Sequence, residues 1–316
     1  MSDFENLLPP KPELVRNDKK SHPAVTVFSI ILFALTFSLI INDYLFIAFL
    51  LIVLILHELG HFLVMKYFGY QNLKMLFIPF LGALVQGRKS EYSQKQSALV
   101  ILAGPIPGII VGFLLLDYGL NESVSWMIEL GILFLVLNLL NLLPIDPLDG
   151  GQLMKIMFFG NQEMVQLIFS FLSSIGIILL GLIFNSWLLI LFGFFLGFRV
   201  KNLFNLYQIR KEMQKENIAY NSTYEDLSNL SFKRIKAILF EFKPVLKDIE
   251  EHSDNETFNK LIANQVNNVL IDPVIKDVNV FLKILFFIAW VGTFLFAIYY
   301  MLNLNYPSLA NAFPNW

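Results

Sequence analysis

Residues 45–64 read LFIAFLLIVLILHELGHFLV. An α-helix rises about 1.5 Å per residue, so this run is about 30 Å long, the thickness of a bilayer's hydrocarbon core. It is apolar around its whole circumference, the pattern of a membrane span rather than of an amphipathic surface helix. Only His57, Glu58 and His61 within it can ionise. Such groups are costly in hydrocarbon and tend to mark function there. His57 and His61, at i and i+4, project from one helical face a turn apart. Both imidazoles can reach one zinc ion, with Glu58 beside it to act on a water molecule.

Outward from this helix the same pattern repeats. It predicts helices over 24–41, 44–65, 98–116, 124–143, 165–184, 186–198 and 280–302. The sixth is short; it either runs on past Val200 or pairs with the fifth as a re-entrant hairpin. The expected fold is an all-α polytopic membrane protein with about seven transmembrane helices. Composition agrees: of 316 residues, 56% are hydrophobic and 15% charged, with 32 Phe, too little polar surface for a soluble protein of this length. No cysteine is present, which excludes disulfides and leaves His, Asp and Glu to hold a metal. The first 23 residues read as a polar tail rather than a cleavable signal.

Charge placement orients the helices. Lys11, Arg16, Lys19 and Lys20 precede the first. Lys66, Lys74, Arg88, Lys89 and Lys95 lie between the second and third, and Lys155 between the fourth and fifth. The rest of the 23 basic residues run from Arg199 to Lys283. All fall on one side of a seven-helix alternation. The positive-inside rule makes that side cytoplasmic, with the N-terminus inside and the C-terminus outside. The expected organisation is a cytoplasmic tail (1–23), a membrane-embedded core (24–200), a polar segment (201–278), a last transmembrane helix (279–303) and an external tail (304–316). The polar segment has no glycine, and 232–242 and 255–271 look helical, with Pro244 and Pro273 as breaks. It reads as a small cytoplasmic helical cap or linker, or as a module for a regulatory partner.

A catalytic zinc usually has three protein ligands and an open position. The strongest source of the third is 141–151, NLLPIDPLDGG. Pro144 and Pro147 end a helix, and Gly150 and Gly151 allow a close-approaching backbone. Two carboxylates are available. Asp149 must dip about 14 Å below the end of the histidine helix. Asp146 reads as a solvated loop carboxylate, with support of the metal as its alternative role. His22 and His252 lie in polar segments and read as exposed.

Together, His57-Glu58-Leu59-Gly60-His61 and the later Asn141, Pro144, Leu148, Asp149, Gly150 pattern resemble the motifs of the site-2 protease family of intramembrane metalloproteases. The resemblance covers about 45–155. It implies one Zn2+ per chain, with His57, His61 and Asp149 as ligands and Glu58 as catalytic base. Asn141 would position substrate or stabilise an oxyanion. Ala103-Gly104-Pro105 resembles a further family element, with Gly108 where the family often has Asn. The apolar stretch 75–87, containing Pro79, Gly82 and Gly87, looks like the family's membrane-embedded β-hairpin, a place where an unwound substrate can add as a strand.

The activity this implies is zinc-dependent hydrolysis of peptide bonds in transmembrane substrates, near the cytoplasmic side of the bilayer. The expected partners are a transmembrane protein and the lipid bilayer, with no nucleic acid, and a regulatory partner at 201–278. The alternatives are an inactive family relative serving as scaffold or chaperone, against which Glu58 argues, and another membrane zinc hydrolase such as a prenyl-protein protease. A transporter would carry ionisable residues across several helices.

Overall fold

A computed structural model describes residues 9–15, 23–80, 82–89, 91–160 and 162–303; His22 and the tail 304–316 lie outside them. In chain order the elements are α1 (Pro23–Ser38), α2 (Tyr44–Tyr67), β1 (Gln71–Ile78), β2 (Gly82–Arg88), α3 (Gln94–Ala103), α4 (Pro105–Glu122), α5 (Ser125–Asn141) and α6 (Asp149–Met154). A π-helical turn (Lys155–Phe159) follows, then α7 (Glu163–Ile183), α8 (Trp187–Lys215), α9 (Asn229–Phe242), α10 (Val245–His252), α11 (Asn255–Val269) and α12 (Val280–Leu302). They form two compact units. One joins Lys19–Gly160 to Lys276–Trp316, and the other joins Met1–Asp18 to Asn161–Ile275.

Among the described residues, five helical stretches are long and apolar enough to cross a membrane: Tyr44–Tyr67, Gln94–Glu122, Glu163–Ile183, Trp187–Lys215 and Val280–Tyr300. The other two expected crossings, α1 and α5, are equally apolar but have 16 and 17 residues. That is about 24–26 Å of helix, short of a core about 30 Å thick. The third expected helix is two, α3 and α4, joined at Gly104. Pro105 carries no N–H to continue the ladder and its ring crowds the preceding turn. The sixth does run past Val200, ending at Lys215.

In the first unit α2 starts where the Asp43 carboxylate accepts the N–H of Phe46 at 2.9 Å, an N-cap. Lys66 in its last turn faces the negative end of the helix dipole. The hairpin follows, with Lys74 opposite Gln86, Met75 opposite Val85 and Ile78 opposite Gly82. Its turn needs left-handed backbone at Phe80 (φ 64°) and Gly82 (φ 91°), which glycine adopts without strain. α1 covers one edge of the sheet: Thr26 Oγ1 donates to the Met75 carbonyl at 2.8 Å, and the Phe77 N–H donates to Ser29 Oγ at 3.1 Å. In an antiparallel pair, alternate residues turn both backbone groups to the same neighbour. Met75 and Phe77 therefore face α1, and their partners Ala83 and Val85 face away from β1. The core of the unit is Leu116, Ile128, Leu135, Leu142, Leu153 and Met157 with Trp290 of α12.

The second unit holds α7 to α11. The expected helices at 232–242 and 255–271 are α9 and α11; between them α10 starts directly after Pro244, because proline is tolerated at a helix start. Ile235, Leu239, Ile262 and Val266 form its dry centre. The segment 9–15 lies on it. Lys11 Nζ donates to the carbonyls of Tyr224, Glu225 and Leu227 at 2.6, 2.8 and 2.5 Å, and the Tyr224 hydroxyl donates to Pro12 O at 2.7 Å. Burial, helped by Glu225, pushes the Tyr224 hydroxyl up to about 12, so it stays a donor at physiological pH. His252 is exposed and bonds its own helix, at Asp248 O.

Candidate active site

α2 puts the two imidazoles on one face, their ring centroids 4.8 Å apart, and His57, Glu58 and His61 are all buried. Each histidine is held from behind. His57 Nδ1 lies 2.8 Å from Asn138 Oδ1, and His61 Nδ1 lies 2.7 Å from the Val100 carbonyl. A carbonyl only accepts, so His61 carries its proton on Nδ1. Asn138 Nδ2 donates to Phe134 O at 2.7 Å, which turns the amide oxygen toward His57 and makes His57 Nδ1 a donor too. In both neutral rings Nε2 is then a bare lone pair, and the two Nε2 atoms face each other at 3.1 Å.

Asp149, the first residue of α6, brings a third donor. Its Oδ2 is 3.1 Å from His57 Nε2 and 3.3 Å from His61 Nε2. That oxygen is buried and has no hydrogen-bond donor. With the ring protons of the neutral imidazoles committed to Nδ1, these short separations set lone pairs against each other, an arrangement that a metal cation between them would make favourable. Donors about 2.0–2.1 Å from a tetrahedral zinc are about 3.3 Å apart, and 3.1–3.3 Å is what the side chains present. Backbone supplies the room: a Cβ on Gly104 would overlap the His61 ring and lie 2.9 Å from His57 Nε2. His57, His61 and Asp149 thus form a group fit to hold a metal. Glu58 is buried beside them and takes a hydrogen bond from the backbone N–H of Val85 on β2.

The other expected residues are placed differently. Asn141 ends α5, half-buried; the amide that meets His57 is Asn138, one turn earlier. Its signal was legible, since an asparagine inside the apolar run of α5 is itself a polar group in hydrocarbon. Gly108 is tied to the same residue: a Cβ there would overlap the Asn138 amide. Asp146 corrects the expectation of a solvated carboxylate. It is 3% exposed and pairs with Lys155 Nζ at 2.7 Å. A loop carboxylate looks solvated in sequence, but Lys155 comes from the π-helical turn beyond α6 and meets it only in the fold.

A buried two-histidine, one-carboxylate cradle with an adjacent glutamate, in a bundle of apolar helices, defines a membrane metalloprotease-type centre. Residues 45–123 match Peptidase family M50. Zinc metalloprotease MJ0392 of Methanocaldococcus jannaschii is 30% identical over 193 residues, 56% of this chain and 55% of that protein. Stage IV sporulation protein FB of Bacillus subtilis is 31% identical over 121 residues, 34% of this chain and 38% of that protein. The chain thus spans about half or less of the curated relatives it matches. A site-2 protease structure from Methanocaldococcus jannaschii aligns with a TM-score of 0.41 at 25% identity, covering 55% of this chain and 87% of that one. The similarity to peptidase family M50 thus lies on residues 45–123, the stretch that holds His57, Glu58 and His61.

Proposed function

We propose that this chain is an active intramembrane endopeptidase that cuts transmembrane proteins near the cytoplasmic side of the bilayer, with one zinc held by His57, His61 and Asp149. The observation that carries the reading is the convergence of those three donors, with no hydrogen to share, beside Glu58 on a span-length apolar helix. Zinc bound there would polarise a scissile carbonyl and make water more acidic.

The chain's own groups do the rest. Glu58 accepts a proton from the attacking water and returns it to the leaving amine. Asn138 and Val100 hold both imidazoles with Nε2 inward, so neither ring has to reorient during turnover. The β2 edge, Ala83 and Val85, is the sheet edge that α1 does not cover. Its Val85 N–H already reaches Glu58, so a substrate segment unwound into a strand and added there lies beside the base. Unwinding is required because a helix hides its carbonyls in internal bonds. Asn141, at the end of α5, is assigned to substrate positioning. The basic loops put the N-terminus and the residues 201–278 in the cytoplasm, where a regulatory partner can reach them.

The test is Glu58→Gln, which keeps the shape and removes the base. General-base help is worth ~10²–10⁴ in rate. Purified protein in liposomes should keep its zinc and lose cleavage of a transmembrane substrate by at least that factor. Wild-type cleavage by this variant would overturn Glu58 as the base, and no cleavage by the unaltered, zinc-loaded protein would leave the scaffold reading in its place.

A further inference from the structure

We propose that Trp290 of α12 is a positioning residue for the metal centre: its indole N–H fixes the turn that delivers Asp149 to the two histidines. This rests on the metalloprotease reading of the site. Leu142 caps the C-terminus of α5, where a helix leaves carbonyls without partners. Its carbonyl is buried and accepts the Trp290 Nε1 hydrogen at 2.8 Å. That carbonyl also lies against Gly150, the residue after Asp149: a Cβ on Gly150 would overlap Leu142 O. The Leu142 carbonyl is thus clamped between the indole and the backbone that carries the third ligand, and a shift of the carbonyl moves Asp149 with it.

α12 is tied down near its start as well. Just before it, the Asp277 carboxylate accepts from Ser93 Oγ at 2.5 Å and from the Lys95 N–H at 3.0 Å, at the start of α3. α3 is the helix whose Val100 carbonyl holds His61. Between these anchors most of α12 is exposed, whereas Trp290 is 8% exposed. The segment after residue 275 is therefore joined by hydrogen bonds to the two elements that bear on the ligands, and Trp290 is its one buried polar link to the Asp149 turn among the described residues.

The experiment removes the N–H and keeps the ring. Trp290→Phe does this with some loss of volume; replacement of Trp290 by benzothienylalanine puts sulfur where the N–H was and keeps the indole shape, so folding is preserved. Phe294→Leu thins the packing on Trp290 without touching the hydrogen bond. Zinc affinity is read in detergent micelles by competition with a chromophoric chelator, and ligand geometry by the visible spectrum of cobalt-loaded protein. Partners outside the ligand shell are typically worth 10–100-fold in metal affinity. Both Trp290 replacements should weaken zinc by about tenfold and change the cobalt spectrum, and Phe294→Leu should do neither. Wild-type affinity and spectrum in the benzothienylalanine protein overturn the proposal, as does an equal loss in Phe294→Leu. Wild-type protein that binds no zinc overturns the metalloprotease reading itself, a result distinct from either.

Discussion

The two histidines are made fit to hold a metal by what stands behind them. Without Asn138, His57 Nδ1 loses its acceptor, the ring can flip, and either nitrogen can carry the proton. Asn138→Ala should therefore weaken zinc about 10–100-fold in a chelator titration while the protein stays folded; unchanged affinity would make Asn138 a packing residue. Asp149→Ala should go further, leaving two donors where a catalytic centre needs three. Asp146 answers to a different measurement. Lys155→Met takes the ammonium away from a carboxylate whose side chain is 2% exposed. Breaking a buried pair from one side costs about 3–5 kcal/mol, so the loss should appear in unfolding stability with Glu58 and both histidines intact.

Among the elements, the hairpin shows how tertiary neighbours decide what a strand can do. Pro79, Gly82 and Gly87 mark it in sequence, and both strands formed. Which edge stays available could not be read there, because it depends on the hydroxyls of Thr26 and Ser29 meeting Met75 and Phe77 across more than forty residues. Unpaired edge groups invite another strand, and α1 seals the edge that faces away from Glu58. The double variant Thr26→Val, Ser29→Ala should raise amide exchange at Phe77 and loosen β1. It should also slow cleavage of a helical substrate more than of a short extended peptide, because only the helical substrate needs the hairpin firmly held while it unwinds. Equal losses on both substrates would make these hydroxyls merely structural.

At the scale of the molecule, metal and topology each give a test. A ligand that binds only the folded state stabilises it by about 2.7 kcal/mol at a hundredfold excess over Kd. Stripping zinc with a chelator should therefore lower the melting temperature, and His61→Ala should abolish that difference. Reporter fusions check orientation: one after residue 250 should be cytoplasmic and one at residue 316 external. Two reporters on the same side would remove the seven-crossing arrangement, in which α1 and α5 cross despite their shorter length. Lys11 belongs to this scale too. Its three carbonyl partners lie more than two hundred residues away, and Lys11→Met should expose the segment 9–15 to protease.

The apolar helices, the hairpin and the His57-Glu58-His61 face followed from sequence alone, because helical period, hydropathy and short spacings are local properties. So did the choice of 141–151 as the place to look for a third ligand. What required the fold was every contact between distant segments. Asn138 rather than Asn141 meets His57: the two asparagines share one face of α5, a turn apart along its axis, and which turn stands level with His57 is set by how α2 and α5 pack. Asp146 is buried because Lys155 reaches it. The indole of Trp290 meets Leu142 only because α12 returns to the unit that α5 helps build. Such pairings arise from chain segments brought together to bury apolar surface and satisfy their polar groups at the same time.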